Sequence, residues 1–217
     1  TGLRIYGLDA ESLWLDEALS WNQARLPLPA LLESIAADVH PPLYALLLHL
    51  FIGVLGDSEV ALRMLSVICS SIGIWLTWAV GRHLSGGERA ALIAAMLWAI
   101  SVFAIQYAQE ARMYALLSCL ALASMLSFVR LCYARTTAGS NTATSPGHAT
   151  QLAYLLTTAL LMYSHVYGLF IVIGQNVIML LRYAPLWPEQ PALRLKRWFL
   201  LQGVLGLVFL PWAYVLM

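Results

Sequence analysis

The sequence has few charged residues. Asp, Glu, Lys and Arg make up only 11% of its 217 residues, whereas 61% are hydrophobic. Soluble domains carry roughly 25% charged residues, so this composition excludes an ordinary soluble domain and predicts an integral membrane protein. The net charge is only +1. The concentrated basic surface that nucleic-acid binding requires is therefore missing.

Cysteine and a leader sequence are the next absences. Cys69, Cys119 and Cys132 lie in apolar stretches with neither a CxxC motif nor Cys/His spacing, so we interpret them as small buried residues. The chain opens without a charged leader followed by an apolar run. Its last residues lie inside an apolar run. We therefore expect a portion of a longer protein, with a membrane span before residue 1.

Long apolar runs are abundant. A helix needs about 20 apolar residues to cross a bilayer about 30 Å thick, and we count five or six such segments. We expect helices at 60–80, 90–108, 114–129, 152–163, 168–181 and 198–217. The sequence thus predicts an all-α, polytopic helical membrane protein.

The first part of the chain differs from the rest because most of the acidic residues lie in it or just beyond. Its apolar run at 43–55 has only 13 residues, which is typical of a helix lying at the bilayer surface. We predict that 1–58 is an outer loop with interfacial, juxtamembrane helices and that 59–217 is a transmembrane helical domain. The Thr, Ser, Ala and Gly content of 135–151 predicts a flexible cytoplasmic linker within that domain.

Lysine and arginine placement predicts the orientation. Alternating helix ends places eight of these residues on one side and four on the other. The richer side is assigned to the cytoplasm. Residues 1–58, the turn at 109–113 and the turn at 164–167 then share the outer face, which in a bacterium is the periplasm.

Two adjacent carboxylates, Asp16 and Glu17, stand among apolar residues in the outer loop. Acids are favoured in the first turn of a helix, and Asp16 has a side chain suited to capping one. The alternative is functional: apolar neighbours raise the pKa of a carboxylate and make it a stronger base towards an alcohol or amine. The residues alone leave both interpretations open.

The second outer turn contains Glu110 and Arg112, followed by Tyr114. These residues fit a polar hairpin with an aromatic belt at the membrane boundary. They also fit a phosphate site, in which Arg112, together with Arg63 at the top of its helix, binds phosphate oxygens bidentately.

Two histidines lie on the same predicted face. His40 precedes two prolines, as in an ordinary turn, and His165 separates two short apolar segments. For each histidine two interpretations are open: it is a structural residue, or it lines a site for phosphate or metal. Histidines and carboxylates without fixed local spacing are a weak metal signal, so the sequence identifies no metal.

A series of short motifs carries a resemblance to a known family. In chain order they are LWLDEA at 13–18, HPPLY at 40–44, GDSE at 56–59 with ALR at 61–63, QEARMY at 109–114, and YSH at 163–165 with YG at 167–168. Their order and spacing resemble the GT-C membrane glycosyltransferases of family 39, the type related to protein O-mannosyltransferases and lipid A aminoarabinose transferases.

The resemblance implies a GT-C fold in a multi-pass protein of the bacterial inner membrane, with its active site on the outer face. It implies transfer of a sugar, with inversion, from a polyprenyl-phosphate donor to a lipid, glycan or protein acceptor. Asp16 then corresponds to the catalytic base, with Glu17 beside it. Residues near the donor phosphate or acceptor are then His40, Arg63, Glu110, Arg112, Tyr114 and His165. No cofactor is certain, and a divalent cation is possible because metal use varies among such enzymes.

Two other classes of function remain open at this point. A membrane transporter or flippase-like binder could use the same acids and Arg112 to recognise a headgroup without chemistry. Transporters usually place polar groups near the bilayer midplane on broken helices, and the mid-helix positions noticed here, Ser70, Ser71, Thr77 and Ser118, are only weakly polar. The third possibility is a non-catalytic lipid-binding subunit.

Overall fold

A computed structural model describes residues 1–132, 147–183 and 191–215. These residues form eleven α-helices and no strand, which confirms the all-α prediction. They are α1 (Gly2–Ile5), α2 (Leu15–Ala24), α3 (Leu28–Ala36), α4 (Leu43–Leu55), α5 (Glu59–Ser85), α6 (Glu88–Ile100), α7 (Val102–Gln106), α8 (Tyr114–Cys132), α9 (His148–Ser164), α10 (Gly168–Tyr183) and α11 (Pro191–Val215).

Within the described residues, three helices are long and apolar enough to cross a membrane. They are Glu59–Ser85, Tyr114–Cys132 and the Leu195–Val215 portion of α11. Two shorter apolar helices, Leu43–Leu55 and Gly168–Leu181, accompany them. The polytopic class is confirmed, but the long spans are fewer than the five or six expected, because several apolar runs form helices shorter than the bilayer requires.

The helix predicted over 90–108 is interrupted, so that prediction is wrong in its middle. α6 ends at Ile100, and Ser101 adopts an extended backbone (φ −61°, ψ 123°). The Ser101 hydroxyl then accepts the Ala104 N–H at 3.4 Å and caps α7. Serine side chains compete with the helix for backbone donors in this way, and a hydropathy pattern does not report that competition.

Helices α5 and α8 form the centre of the bundle. α5 packs extensively against α6 and α8, and α8 packs against α9. Ser58 caps α5 by accepting the Ala61 N–H at 3.3 Å. Cys69, Cys119 and Cys132 are all buried in this packing, which confirms their interpretation as small buried residues.

A buried polar network crosses α8 to α11 and was not anticipated from the sequence. The hydroxyls of Ser124 and Thr158 lie 2.8 Å apart. Gln175 Nε2 donates to Ser124 Oγ at 3.0 Å, and its Oε1 accepts from the Tyr154 hydroxyl at 3.0 Å. Gln202 Nε2 donates to the same hydroxyl at 3.1 Å. These groups satisfy one another, as buried polar groups must.

Part of the predicted linker at 135–151 lies outside the described residues. The described remainder, from Gly147, is not loop throughout, because α9 begins at His148. The end of the predicted linker is therefore helical.

The N-terminal segment is fixed to the bundle by Arg4, which is 1% exposed. Its Nε donates to Ser70 Oγ at 2.8 Å, and its two terminal nitrogens donate to the carbonyls of Ala99 and Trp98 at 3.0 and 3.2 Å. Burial lowers the pKa of Arg4, yet these acceptors satisfy the guanidinium. This anchor holds the chain before α2 against the middle of α5 and the end of α6.

Candidate active site

The two adjacent acids occupy the first turn of α2 and diverge completely in burial. Trp14 stands at the N-cap of this helix, with no side-chain capping bond, so Asp16 is not the cap and that interpretation is wrong. Both acids do lie where the helix dipole favours negative charge. The Glu17 side chain is 0% exposed, whereas that of Asp16 is 39% exposed.

Glu17 is fully engaged inside the protein. Arg63 donates Nε to Glu17 Oε1 at 3.0 Å and Nη2 to Oε2 at 2.7 Å. The backbone N–H of Ala111 also donates to Oε1, at 2.7 Å. Burial raises the pKa of Glu17, but the hydrogen bonds from Arg63 and Ala111 outweigh it and hold that pKa below its usual value. Glu17 is therefore an ionised, occupied carboxylate that ties α2 to α5 and to the 110–112 turn.

Arg63 also donates hydrogen bonds to the chain segment before α2. It is 5% exposed, and its Nη1 donates to the carbonyls of Leu8 at 2.6 Å and Glu11 at 2.9 Å. The structure thus places Arg63 beneath the site as a structural cation. Arg63 lines the cleft that contains Glu110 and not the pocket beside Arg112.

Arg112 lies beside Asp16 and retains spare hydrogen-bonding capacity. Its Nη1 makes long hydrogen bonds to the Asp16 carbonyl (3.3 Å) and Ser20 Oγ (3.2 Å). Its Nη2 lies 3.6 Å from Asp16 Oδ2. Its buried Nε has no partner among the described residues. A guanidinium held loosely beside a half-exposed carboxylate is suited to bind another anionic group.

A small pocket of about 40 Å³ opens beside Arg112, and we name it the Arg112 pocket. Residues of α2, α3, the α3–α4 connection, α4, the turn before α8 and the end of α9 line it. They are Ser20, Gln23, Ile35, Asp38, His40, Pro41, Tyr44, Ala45, Arg112, Met113 and Ser164. This volume accommodates one small group rather than a whole substrate.

His40 enters the pocket wall paired with Asp38, a residue that the sequence analysis missed. His40 Nδ1 lies 2.9 Å from Asp38 Oδ1, and the His40 backbone N–H donates to the same oxygen at 3.2 Å. Burial raises the pKa of Asp38, but the contacts with His40 have the larger effect and hold that pKa below its usual value. An acid two residues before a histidine was the available signal.

His165 lies close to His40, with ring centroids 5.9 Å apart. Its Nδ1 accepts the Tyr167 N–H at 3.0 Å, so neutral His165 carries its proton on Nε2. Burial lowers the pKa of His165, and the nearby His40 and Arg112 lower it further. His165 is therefore a neutral hydrogen-bond donor near pH 7.

Tyr114 belongs to a row of rings that continues from His165. Its ring centroid lies 5.0 Å from that of Tyr107 and 6.0 Å from that of His165, and Tyr167 lies 4.6 Å from His165 on the other side. Tyr107 is the C-cap residue of α7, and Tyr167 belongs to the YG motif at 167–168. The row forms an aromatic flank next to the histidines.

Glu110 points away from this group. It does not line the Arg112 pocket but a separate cleft, where Gln106 Nε2 donates to its Oε1 at 3.3 Å. Burial raises the pKa of Glu110 above its usual value, against the lowering effect of the Gln106 bond. The sequence placed Glu110 and Arg112 together, whereas the structure separates them into two cavities.

The structure thus brings four of the predicted site residues together: Asp16 lies beside Arg112, Arg112 and His40 line one pocket, and His165 lies beside His40. The Glu17–Arg63 pair fixes α2, which carries Asp16. Three or more His, Cys, Asp or Glu side chains arranged to hold a metal ion are not found in the described part of the chain. The possible divalent cation therefore has no candidate ligand set there.

Comparison with known proteins agrees with the sequence resemblance. The family profile described as dolichyl-phosphate-mannose-protein mannosyltransferase matches residues 39–214. All candidate site residues except Asp16 and Glu17 lie inside that range. No curated protein and no solved structure gives a significant match. The chain belongs to the dolichyl-phosphate-mannose-protein mannosyltransferase family, whose members are membrane glycosyltransferases of the GT-C type.

Proposed function

We propose that this protein transfers a sugar from a polyprenyl-phosphate donor to an acceptor at the outer face of the membrane, with inversion at the anomeric carbon. The observation that carries the proposal is the pairing of a half-exposed Asp16 carboxylate with Arg112, 3.6 Å away. A base for the acceptor and a cation for the leaving phosphate are the two groups that this reaction needs.

The proposed step is a single displacement. Asp16 accepts the proton of the acceptor hydroxyl as its oxygen forms a bond to the anomeric carbon. The bond from that carbon to the phosphate oxygen breaks, and polyprenyl phosphate leaves with the electron pair. Arg112 stabilises the negative charge that grows on the phosphate through its guanidinium group.

The other site residues have supporting roles. Neutral His165 donates from Nε2, and His40, held by Asp38, lies beside it. Glu17 and Arg63 are positioning residues. They fix α2 and the Ala111 backbone, and therefore the spacing between Asp16 and Arg112.

The location of the site suits a lipid-linked donor. Its residues cluster where α5 and α8 begin and α9 ends, at one end of the apolar bundle. A donor phosphate can lie there while its polyprenyl tail stays in hydrocarbon. The buried polar network of α8 to α11 is satisfied internally, which favours a structural role for it over a transport path.

The test replaces the proposed base. Asp16→Asn keeps the shape of the side chain but removes its ability to accept a proton, so sugar transfer from a synthetic polyprenyl-phosphate mannose should fall by a factor of about 100 or more. Transfer is measured in proteoliposomes with a mixture of lipid, glycan and peptide acceptors.

Asp57→Asn is the matched control, because Asp57 lies on the surface of the same loop and its one ion pair among the described residues is with exposed Arg25. It should retain full transfer. An Asp16→Asn protein as active as this control would show that Asp16 is not the base. Loss of transfer with unchanged donor binding separates catalysis from the transporter and lipid-binding alternatives.

A further inference from the structure

A second cavity, which we name the Glu110 cleft, has Glu17 and Arg63 in its wall and shares no lining residue with the Arg112 pocket. We propose that it binds the acceptor and that the acceptor is a hydroxyl-rich sugar carrying no negative charge. This inference rests on the proposed function. The cleft has a volume of about 700 Å³, within the range of small-molecule sites, roughly 300 to 1,000 Å³.

The cleft lies between the chain segment before α2 and the stretch from α7 to Glu110. Arg4 anchors the first wall to α5 and α6. Gln109 fastens that wall to the second, because its Nε2 donates to the carbonyls of Leu3 and Tyr6 at 3.4 and 2.8 Å. Both walls are therefore held in place without a ligand.

Charge excludes an anion from this cleft. Among the described lining residues, Arg63 is the only cation, and Glu17 and two backbone carbonyls already use four of its five N–H donors. The remaining charged lining residues are Glu11 and Glu110. A donor phosphate is therefore favoured at Arg112 and disfavoured in the cleft.

Hydrogen-bond polarity favours a sugar over a peptide. The Gln109 amide nitrogen donates to two backbone carbonyls, and that of Gln106 donates one of its two N–H groups to Glu110. The glutamines therefore offer two carbonyl oxygens against one N–H group that has no acceptor among the described residues. With the two carboxylates, the polar lining is rich in acceptors. Sugar hydroxyls all donate, whereas a peptide backbone brings one carbonyl acceptor for each N–H and would leave its carbonyls unpaired.

Trp14 supplies the apolar component. It lines the cleft with its side chain 48% exposed, and an indole face packs against the C–H face of a sugar ring at little entropic cost. Trp14 stands at the N-cap of α2, the helix whose first turn carries Asp16.

The turn around Ala111 contributes to both cavities. Its N–H is bonded to Glu17, while Glu110 lines the cleft and Arg112 lines the other pocket. The acceptor and the donor phosphate would thus be bound by different residues of one short turn.

Saturation-transfer NMR on the full chain in nanodiscs tests the proposal without turnover. The probes are methyl cellobioside, the uronic-acid disaccharide of the same size and a neutral serine-containing tetrapeptide. The neutral disaccharide should receive at least about fivefold more saturation than either other probe. Trp14→Ala and Gln106→Leu should each reduce its signal about fivefold, as expected for loss of a stacking or hydrogen-bonding contact.

Trp75→Ala is the control, because Trp75 is 54% exposed on α5 and does not line the cleft. The Trp75→Ala protein should saturate the neutral disaccharide as strongly as the unmodified chain does. Equal saturation of all three probes, preference for the peptide, or indifference to both cleft substitutions would overturn the assignment. The Asp16→Asn protein should bind the disaccharide normally. If no donor supports transfer but cleft-dependent binding persists, the proposed function fails and the sugar site stands.

Discussion

At the scale of single residues, the acids of α2 show what a sequence leaves undetermined. Both carboxylates and their candidate roles were recognisable from the pattern LWLDEA. Which one is buried depends on two partners of Glu17 that are distant in the chain: Arg63, 46 residues away, and the Ala111 N–H, 94 residues away. Neighbouring helical residues point about 100° apart, and only the tertiary partners decide which direction is inside.

Glu17→Gln should destabilise the fold, because it leaves the buried Arg63 guanidinium without its counter-charge. Removal of one partner from a buried pair costs roughly 3–5 kcal/mol, and chemical denaturation in a defined detergent measures it. Glu33→Gln, at an exposed position of α3, should change stability by less than about 0.5 kcal/mol. Similar small effects for both variants would contradict a structural role for the pair.

The depressed pKa of His165 predicts a pH dependence of stability. Its usual value is 6.5 and its folded value is lower, so the unfolded chain binds this proton more tightly. The stabilisation from keeping His165 neutral is complete above pH 6.5 and is lost as pH falls through the folded pKa. His165→Asn, whose amide oxygen can still accept the Tyr167 N–H, should lose less stability than the unmodified protein between pH 7 and 5.

The measurement is the unfolding midpoint across that pH range. His148→Gln serves as the control because His148 is exposed, and it should retain the original slope. An unchanged slope in His165→Asn would assign the pH dependence to other groups.

At the scale of helices, hydropathy predicted the elements whose apolar runs are uninterrupted. α4 covers the predicted run at 43–55, and α5 and α8 contain the predicted helices at 60–80 and 114–129. The failure at Ser101 has a local cause, a hydroxyl that caps a new helix. Hydropathy averages over such a residue, because serine is nearly neutral on that scale.

The contact between α9 and α10 depends on Gly168. A Cβ there would lie 2.7 Å from the Leu161 carbonyl oxygen, so Gly168→Ala must move backbone. We expect a loss of about 1–3 kcal/mol and displacement of the His165 turn. Gly174→Ala, on the same helix with nothing within 4 Å, should be neutral or slightly stabilising. Thermal unfolding distinguishes the two; equal stability would mean that the helices separate without cost.

At the scale of the whole molecule, composition was sufficient to predict a membrane protein. The series of short motifs was sufficient to predict the family. The division of the site into two cavities was not predictable. It arises from contacts between α2 and the 110–112 turn, more than 90 residues apart in the chain. No local periodicity carries that information.

The orientation itself is open to a direct test. Single cysteines at Glu11 and Arg89, both exposed, are introduced after replacement of the native cysteines by alanine. An impermeant maleimide should label Glu11→Cys in intact cells and Arg89→Cys only after permeabilisation. The reverse pattern would move the site to the cytosolic side and exclude an outer-face reaction.

The bond between Glu17 and the Ala111 N–H has one further consequence. It fixes Ala111 between two residues that line different cavities, Glu110 before it and Arg112 after it. Under the proposed assignment, preference for the incoming alcohol and preference for the departing lipid can diverge independently in evolution, through substitutions at codons 110 and 112 that leave the shared carboxylate untouched.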